Sequence, residues 1–209
     1  MLDPARDRWQ KRRQVLGALG VRPGSVVADV GAGPGYFTVA LARAVGPRGR
    51  VYAVDPGLPH LERLRLRLMQ AGVRNVTPVL SRGDDPHLPP GACDIVLIVN
   101  SYHHFPNGPR FLRRVAEALR RGGVMAAIDF EKRETPVGPP VEHRVAREDF
   151  LRDARRAGLA LAAEHRFLSY QYFVVLSATR GSAGRRSPRP SARRPRRTGA
   201  RPIHHRRRA

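Results

Sequence analysis

The chain has 209 residues, enough for one domain with a sizeable core and little more. A hydrophobic content of 41% excludes wholesale disorder, and a single cysteine, Cys93, excludes both a disulfide framework and a cysteine-rich zinc site. The net charge is +22, but residues 180–209 hold 12 of the 39 Lys and Arg side chains, all arginine, with no acid, which leaves about +10 for residues 1–179.

Residues 5–19 (ARDRWQKRRQVLGAL) pattern as one amphipathic helix with Trp9, Val15, Leu16 and Leu19 on the apolar side and Gly20 as its stop. A turn at VRPG leads into VVADV (26–30), a short apolar run that ends in a glycine-rich loop. YFTVALARAV (36–45) is helical, RVYAVD (50–55) is the second strand, and LERLRLRLMQA (61–71) places Leu61, Leu64 and Leu68 at helical spacing. NVTPVL (75–80) is a third strand, and its Pro78 suits a sheet edge because proline cannot donate to a ladder. DIVLIVN (94–100) is almost wholly apolar, as a strand covered on both faces must be. PRFLRRVAEALRR (109–121) is a helix closed by Gly122-Gly123, and VMAAIDF (124–130) is the fifth strand.

Strands alternating with helices imply a parallel sheet with right-handed crossovers. The end departs from that pattern. After a helix at 147–158, LALAAEHRF (159–167) and SYQYFVVLSA (169–178) form two strands joined tightly near Leu168-Ser169, so an antiparallel strand enters the sheet. The chain divides into an N-terminal helix at 1–20, an α/β domain at 21–179 and an Arg/Pro-rich tail at 180–209, whose composition predicts disorder. No apolar run approaches the roughly 20 residues that span a bilayer, and the charged start MLDPARDRWQKRR has no apolar signal core, so a cytoplasmic protein is expected.

The strongest motif is DVGAGPGYF (29–37), set between a strand and a helix. Gly31, Gly33 and Gly35 allow unusual backbone angles and let a ligand approach the main chain, at the carboxyl end of a strand where open α/β sheets bind ligands. The spacing is G-x-G-x-G, with Tyr36 where a dinucleotide fingerprint has its third glycine. Asp55 ends the second strand, where a carboxylate accepts hydrogen bonds from both ribose hydroxyls of a nucleoside. Its other reading is a helix cap, because Pro56 and a helix follow.

The loop, the acid at 55, the stretch NSYHHFPNG (100–108) and ALRRGGVMAAIDF (118–130) occur in the order and at the intervals of class I S-adenosylmethionine-dependent methyltransferases, which the chain resembles over residues 21–178. RDRWQ, VGPPVEH and QYF are similar to stretches of an uncharacterised bacterial subgroup. The resemblance implies a Rossmann-like three-layer α/β sandwich with a seven-stranded, mostly parallel sheet in the order 3-2-1-4-5-7-6, strand 7 antiparallel. It implies S-adenosyl-L-methionine as cofactor, with Asp29, Gly31, Gly33, Gly35, Tyr36, Asp55, Asp84 and Asn100 as its contacts. Asp84 stands for the acid that faces the adenine, although the usual position falls nearer Arg82. His103 or His104 is a candidate general base, since an imidazole titrates near neutral pH. Glu142 and His143 are candidates for the acceptor site. No metal is implied.

The expected reaction is methyl transfer to a small-molecule acceptor. The alternative is an RNA-binding protein or RNA methyltransferase anchored by the arginine-rich tail, because such segments bind phosphate backbones without sequence preference. A nicotinamide oxidoreductase is disfavoured by the missing third glycine and by the late hairpin.

Overall fold

A computed structural model describes residues 5–179; the expected tail at 180–209 lies outside the described residues. The alternation of strand and helix produces one seven-stranded sheet in the order β3-β2-β1-β4-β5-β7-β6. Its strands are β1 (Val26–Val30), β2 (Arg50–Asp55), β3 (Val76–Leu80), β4 (Cys93–Val99), β5 (Leu119–Phe130), β6 (Leu159–His165) and β7 (Gln171–Ala178). The first five run parallel; β7 pairs antiparallel with both β5 and β6, as the closing hairpin predicts. Pro78 sits on β3, an edge strand, where its missing N–H costs no ladder bond.

The helices are α1 (Arg6–Gln10), α2 (Arg12–Ala18), α3 (Thr38–Val45), α4 (Leu58–Gln70), α5 (Gly108–Ala118) and α6 (Arg147–Arg156). Strand alternation sorts the core into two layers. On one face Val27, Val51, Leu97, Ala126 and Phe173 meet Val15 of α2 and Leu41 of α3, with the Leu61, Leu64 and Leu68 stripe of α4 alongside. On the other, Val96, Ile98, Met125 and Val174 pack against Phe111, Leu112 and Val115 of α5 and Phe150 and Ala154 of α6.

Two expectations about elements change. The helix predicted over 5–19 is broken at Lys11, which adopts the left-handed region (φ 47°) and turns α1 away from α2. The break pays for itself in bonds that a straight helix could not make: the Lys11 ammonium donates to the Phe167 carbonyl at 2.7 Å, and the Gln10 amide is buried against β7. The second change is at Arg120–Gly123, where the predicted helix end is instead the start of β5, reached through a bulge against β4. Gly122 takes φ 78° there, and a Cβ on Gly123 would lie 2.7 Å from the Cys93 carbonyl, so the two glycines serve the strand's entry.

Candidate functional site

The carboxyl ends of β1, β2, β4 and β5 bring most of the predicted residues to one rim of the sheet. Asp29, next to last in β1, is almost fully buried, and Thr38 Oγ1 at the start of α3 donates to its Oδ2 at 2.6 Å. Burial pushes the Asp29 carboxyl up to about 6, with the Thr38 bond and the positive charge of Arg6 opposing the rise.

The loop that follows returns over the end of β2. Gly31 and Ala32 both donate backbone N–H bonds to the Val54 carbonyl, and Gly33 N–H donates to Asp55 Oδ2 at 2.8 Å. Gly31, Gly33 and Gly35 all have positive φ (73°, 52° and 86°). At Gly31 an added Cβ would stand 2.0 Å from Ser101 Oγ, whereas at Gly33 it would meet nothing within 4 Å. The loop is therefore pressed against the segment after β4 on one side and open at its middle glycine.

Asp55 is buried and already oriented. Its Oδ1 accepts from Gly57 N–H at 2.8 Å and lies 3.0 Å from His60 Nδ1, so the helix-cap and ligand readings coexist in one carboxylate with two differently occupied oxygens. Asp84 stands elsewhere: Arg110 at the start of α5 engages its carboxylate at 3.1 Å, directing it to α5. Ser81, buried, follows β3 directly and donates its N–H to the Asp55 carbonyl at 3.2 Å, so the first turn after β3 is closer to the rim than the acid three residues on.

Asn100 ends β4 in the left-handed region (φ 52°), a conformation that asparagine tolerates better than most residues. Its Oδ1 accepts from Gln171 Nε2 at 2.5 Å, and its Nδ2 donates to Gln10 Oε1 at 3.4 Å. Gln10 Nε2 in turn donates to Gln171 Oε1 at 2.6 Å. Three amides from the N-terminal segment, the end of β4 and the start of β7 thus close a ring. Gln10 and Gln171 lie in the quoted stretches RDRWQ and QYF, but neither carries a motif of its own, and only the tertiary contact gives them a role.

Tyr36 is buried beneath the same N-terminal segment. The Arg6 guanidinium stands 4.0 Å from its ring centroid and that of Arg12 4.7 Å, and its hydroxyl donates to Asp7. Trp9 of α1 lies 5.5 Å, centroid to centroid, from Phe130 at the end of β5. The segment 6–12 therefore roofs the rim from the glycine-rich loop to β5.

On the opposite face of the sheet, Tyr102–His104 form a 3₁₀ turn. His103 Nδ1 lies 3.3 Å from Asp129 Oδ2; both side chains are almost buried, and the other Asp129 oxygen accepts the Phe130 N–H at 2.8 Å. Asp129 was not singled out in the sequence, although an acid at the end of an apolar strand is a visible signal. Tyr172, its register partner on β7, is buried beside it. The His104 ring sits 4.0 Å from that of His103, and its pKa is lowered, first by burial and then by the neighbouring His103. His143, exposed in a second 3₁₀ turn, adds to that lowering, while Glu142 is exposed. The loop carrying both is pinned by Arg144, which is buried and donates to the carbonyls of Pro139, Glu131 and Arg133 at 2.8, 3.1 and 2.6 Å.

The geometry has counterparts of known kind. The methyltransferase-domain family matches residues 27–123. A solved S-adenosylmethionine-dependent methyltransferase from Aquifex aeolicus superposes with a TM-score of 0.80 at 25% identity, covering 83% of this chain and 93% of that one. A nocamycin O-methyltransferase from Saccharothrix syringae is 32% identical over 128 residues, 61% of this chain and 44% of that protein. A ubiquinone/menaquinone biosynthesis C-methyltransferase from Hydrogenovibrio crunogenus is 29% identical over 127 residues, 60% of this chain and 50% of that protein. The chain spans about half the length of these two relatives.

Proposed function

Because the chain belongs to the class I S-adenosylmethionine-dependent methyltransferase superfamily, we propose that it binds S-adenosylmethionine at the β1–β2 rim and transfers the methyl group to a small-molecule acceptor held near β4 and β5. The observation that carries this reading is the meeting of Gly33 N–H with the buried Asp55 carboxylate beside an open glycine position. A carboxylate fixed by backbone N–H groups keeps lone pairs to accept ribose hydroxyls, and a loop without side chains lets a nucleoside lie against the main chain.

When bound, the donor supplies an electrophilic methyl group, which is the difficult part of the chemistry. The chain's own residues bind and align. Asp55 takes the ribose, Asp29 offers negative charge to the cationic amino-acid end, and Asn100, locked by the amide ring, borders the methyl. Alignment of two reactants contributes on the order of 7–11 kcal/mol in well-oriented systems. His103 acts as general base for an acceptor that must lose a proton: Asp129 holds its Nδ1 side and leaves Nε2 to receive the proton. His104, whose pKa is depressed, stays neutral beside it.

The acceptor enters between the 3₁₀ turn at 102–104 and the loop that Arg144 pins. O- and C-methyltransferases among the relatives fit small organic acceptors of this kind. An RNA acceptor is the second reading, favoured by Arg12, Arg43 and Arg67, whose charges act on one another near the glycine-rich loop.

Calorimetric titration of S-adenosylmethionine and S-adenosylhomocysteine into the full chain, with Asp55→Ala alongside, tests the donor site. Micromolar binding that the variant loses is the expected result. Absence of binding by the folded wild-type protein would sink the reading.

A further inference from the structure

Arg6 is the feature that the mechanism so far leaves unused. It is the first residue of α1, and its guanidinium is packed on the Tyr36 ring at 4.0 Å and within 5.9 Å of the Trp9 ring. Nε and Nη2 both donate to Gln10 Oε1, at 3.3 and 3.2 Å. A guanidinium has five N–H donors, and this one spends only two of them on a neutral oxygen. The charge is drawn toward Asp29, and the attraction is mutual, yet the two groups make no direct ion pair among the described residues. A buried cation and a buried carboxylate thus face each other across the glycine-rich loop without touching.

Such an arrangement is costly when left alone, because each charge has given up water for incomplete compensation. It becomes favourable when something carrying both signs enters. The donor's amino-acid end is a zwitterion, with ammonium and carboxylate on one carbon. Its ammonium suits Asp29. Its carboxylate requires a cation on the opposite side, and a planar guanidinium matches a carboxylate with two parallel bonds.

We infer that Arg6 receives the carboxylate of the donor's amino-acid end, and that α1 is the piece that carries this residue over the glycine-rich loop. The inference rests on the donor reading given above. It also accounts for the architecture of the segment. The left-handed break at Lys11 turns α1 across the rim, and the Gln10 amide fastens it to Asn100 and Gln171, so that Arg6 is held from below by Tyr36 and from behind by Gln10. The Tyr36 ring, the Trp9 ring and the stem of Arg6 keep water from the pair, which strengthens it.

The test uses two donors that differ only in the group at issue. S-adenosylmethionine and decarboxylated S-adenosylmethionine are titrated calorimetrically into the full chain, as wild type and as Arg6→Met, which keeps an apolar stem on Tyr36 and removes the charge. Wild type is expected to prefer the carboxylated donor by about 10- to 100-fold, the range of one charged hydrogen-bonded pair. Arg6→Met is expected to bind the two within about threefold of each other, having lost affinity only for the carboxylated one. If the variant keeps the wild-type preference, the inference is wrong, because the carboxylate is then bound elsewhere. If Arg6→Met does not fold, as judged by its thermal transition, Arg6→Lys takes its place. A lysine keeps the charge without the planar fork and should retain part of the preference; a full preference with lysine would support a charge contact, and none at all would overturn the assignment. Wild type that binds neither donor refutes the donor reading itself, a result distinct from binding both donors equally, which refutes only the role of Arg6.

Discussion

At the scale of single residues, Asp29 has a measurable pH signature. Its carboxyl is pushed up to about 6 from an ordinary value of 3.8 because burial penalises the charge. Below pH 3.8 the group is protonated in folded and unfolded chains alike and costs nothing. As pH rises toward 6 the unfolded chain releases the proton first, so stability falls through that window, and above it the full penalty of about 3 kcal/mol is present. Asp29→Asn keeps an oxygen for Thr38 and abolishes the penalty. Its melting temperature should exceed that of wild type at pH 7.5 and approach it at pH 4, while its affinity for S-adenosylmethionine falls. Equal melting temperatures at pH 7.5 would show that Asp29 is not strained by its burial. The residue serves binding at the expense of the fold, a pattern typical of functional sites.

At the scale of elements, α1 is five residues long and too short to persist unaided. It is held by side chains, and the Gln10 amide is the central one. Gln10→Ala strands the Asn100 and Gln171 amides in a buried place, at a cost of about 1–3 kcal/mol. Amide exchange in residues 6–10 should accelerate while exchange in β1 and β4 is unchanged; uniform acceleration across the sheet would argue against a separately attached roof. This segment also marks where the sequence ceases to be legible. Periodicity located all seven strands, and the hairpin at the end revealed the antiparallel β7, because each signal lies within one stretch of chain. Asp29, the glycines and Asp55 were readable for the same reason. The break at Lys11 was not: helix propensity favours continuing through KRRQ, and what overrides it is a carbonyl at Phe167 and an amide at Gln171, about 160 residues away. Asp84 erred for a related cause. Counting along a loop cannot show that Arg110 will take the carboxylate.

At the scale of the whole molecule, the donor site joins β1, β2, β4 and β7 through α1, so a bound donor braces parts of the chain that are remote in sequence. Any ligand that binds only the folded state adds stability by mass action, about 2.7 kcal/mol at a hundredfold excess over Kd. For a domain of this size that corresponds to a rise of roughly 5–10 °C in melting temperature. Scanning calorimetry with S-adenosylhomocysteine should show the whole transition moving as one; a low-temperature shoulder that shifts alone would mean that α1 melts independently. The long reach of the Gln10–Gln171 contact, 161 residues, has a further consequence during synthesis. At elongation rates of ~5–20 residues per second, the amino end waits roughly 8 to 32 s between its own appearance and that of its anchor. Throughout that interval the nascent chain can pair β1 with β2 and form the glycine-rich loop, but it cannot roof it. The first element to leave the ribosome is the last to dock, and the donor can brace the completed roof only after nearly all of the message has been read.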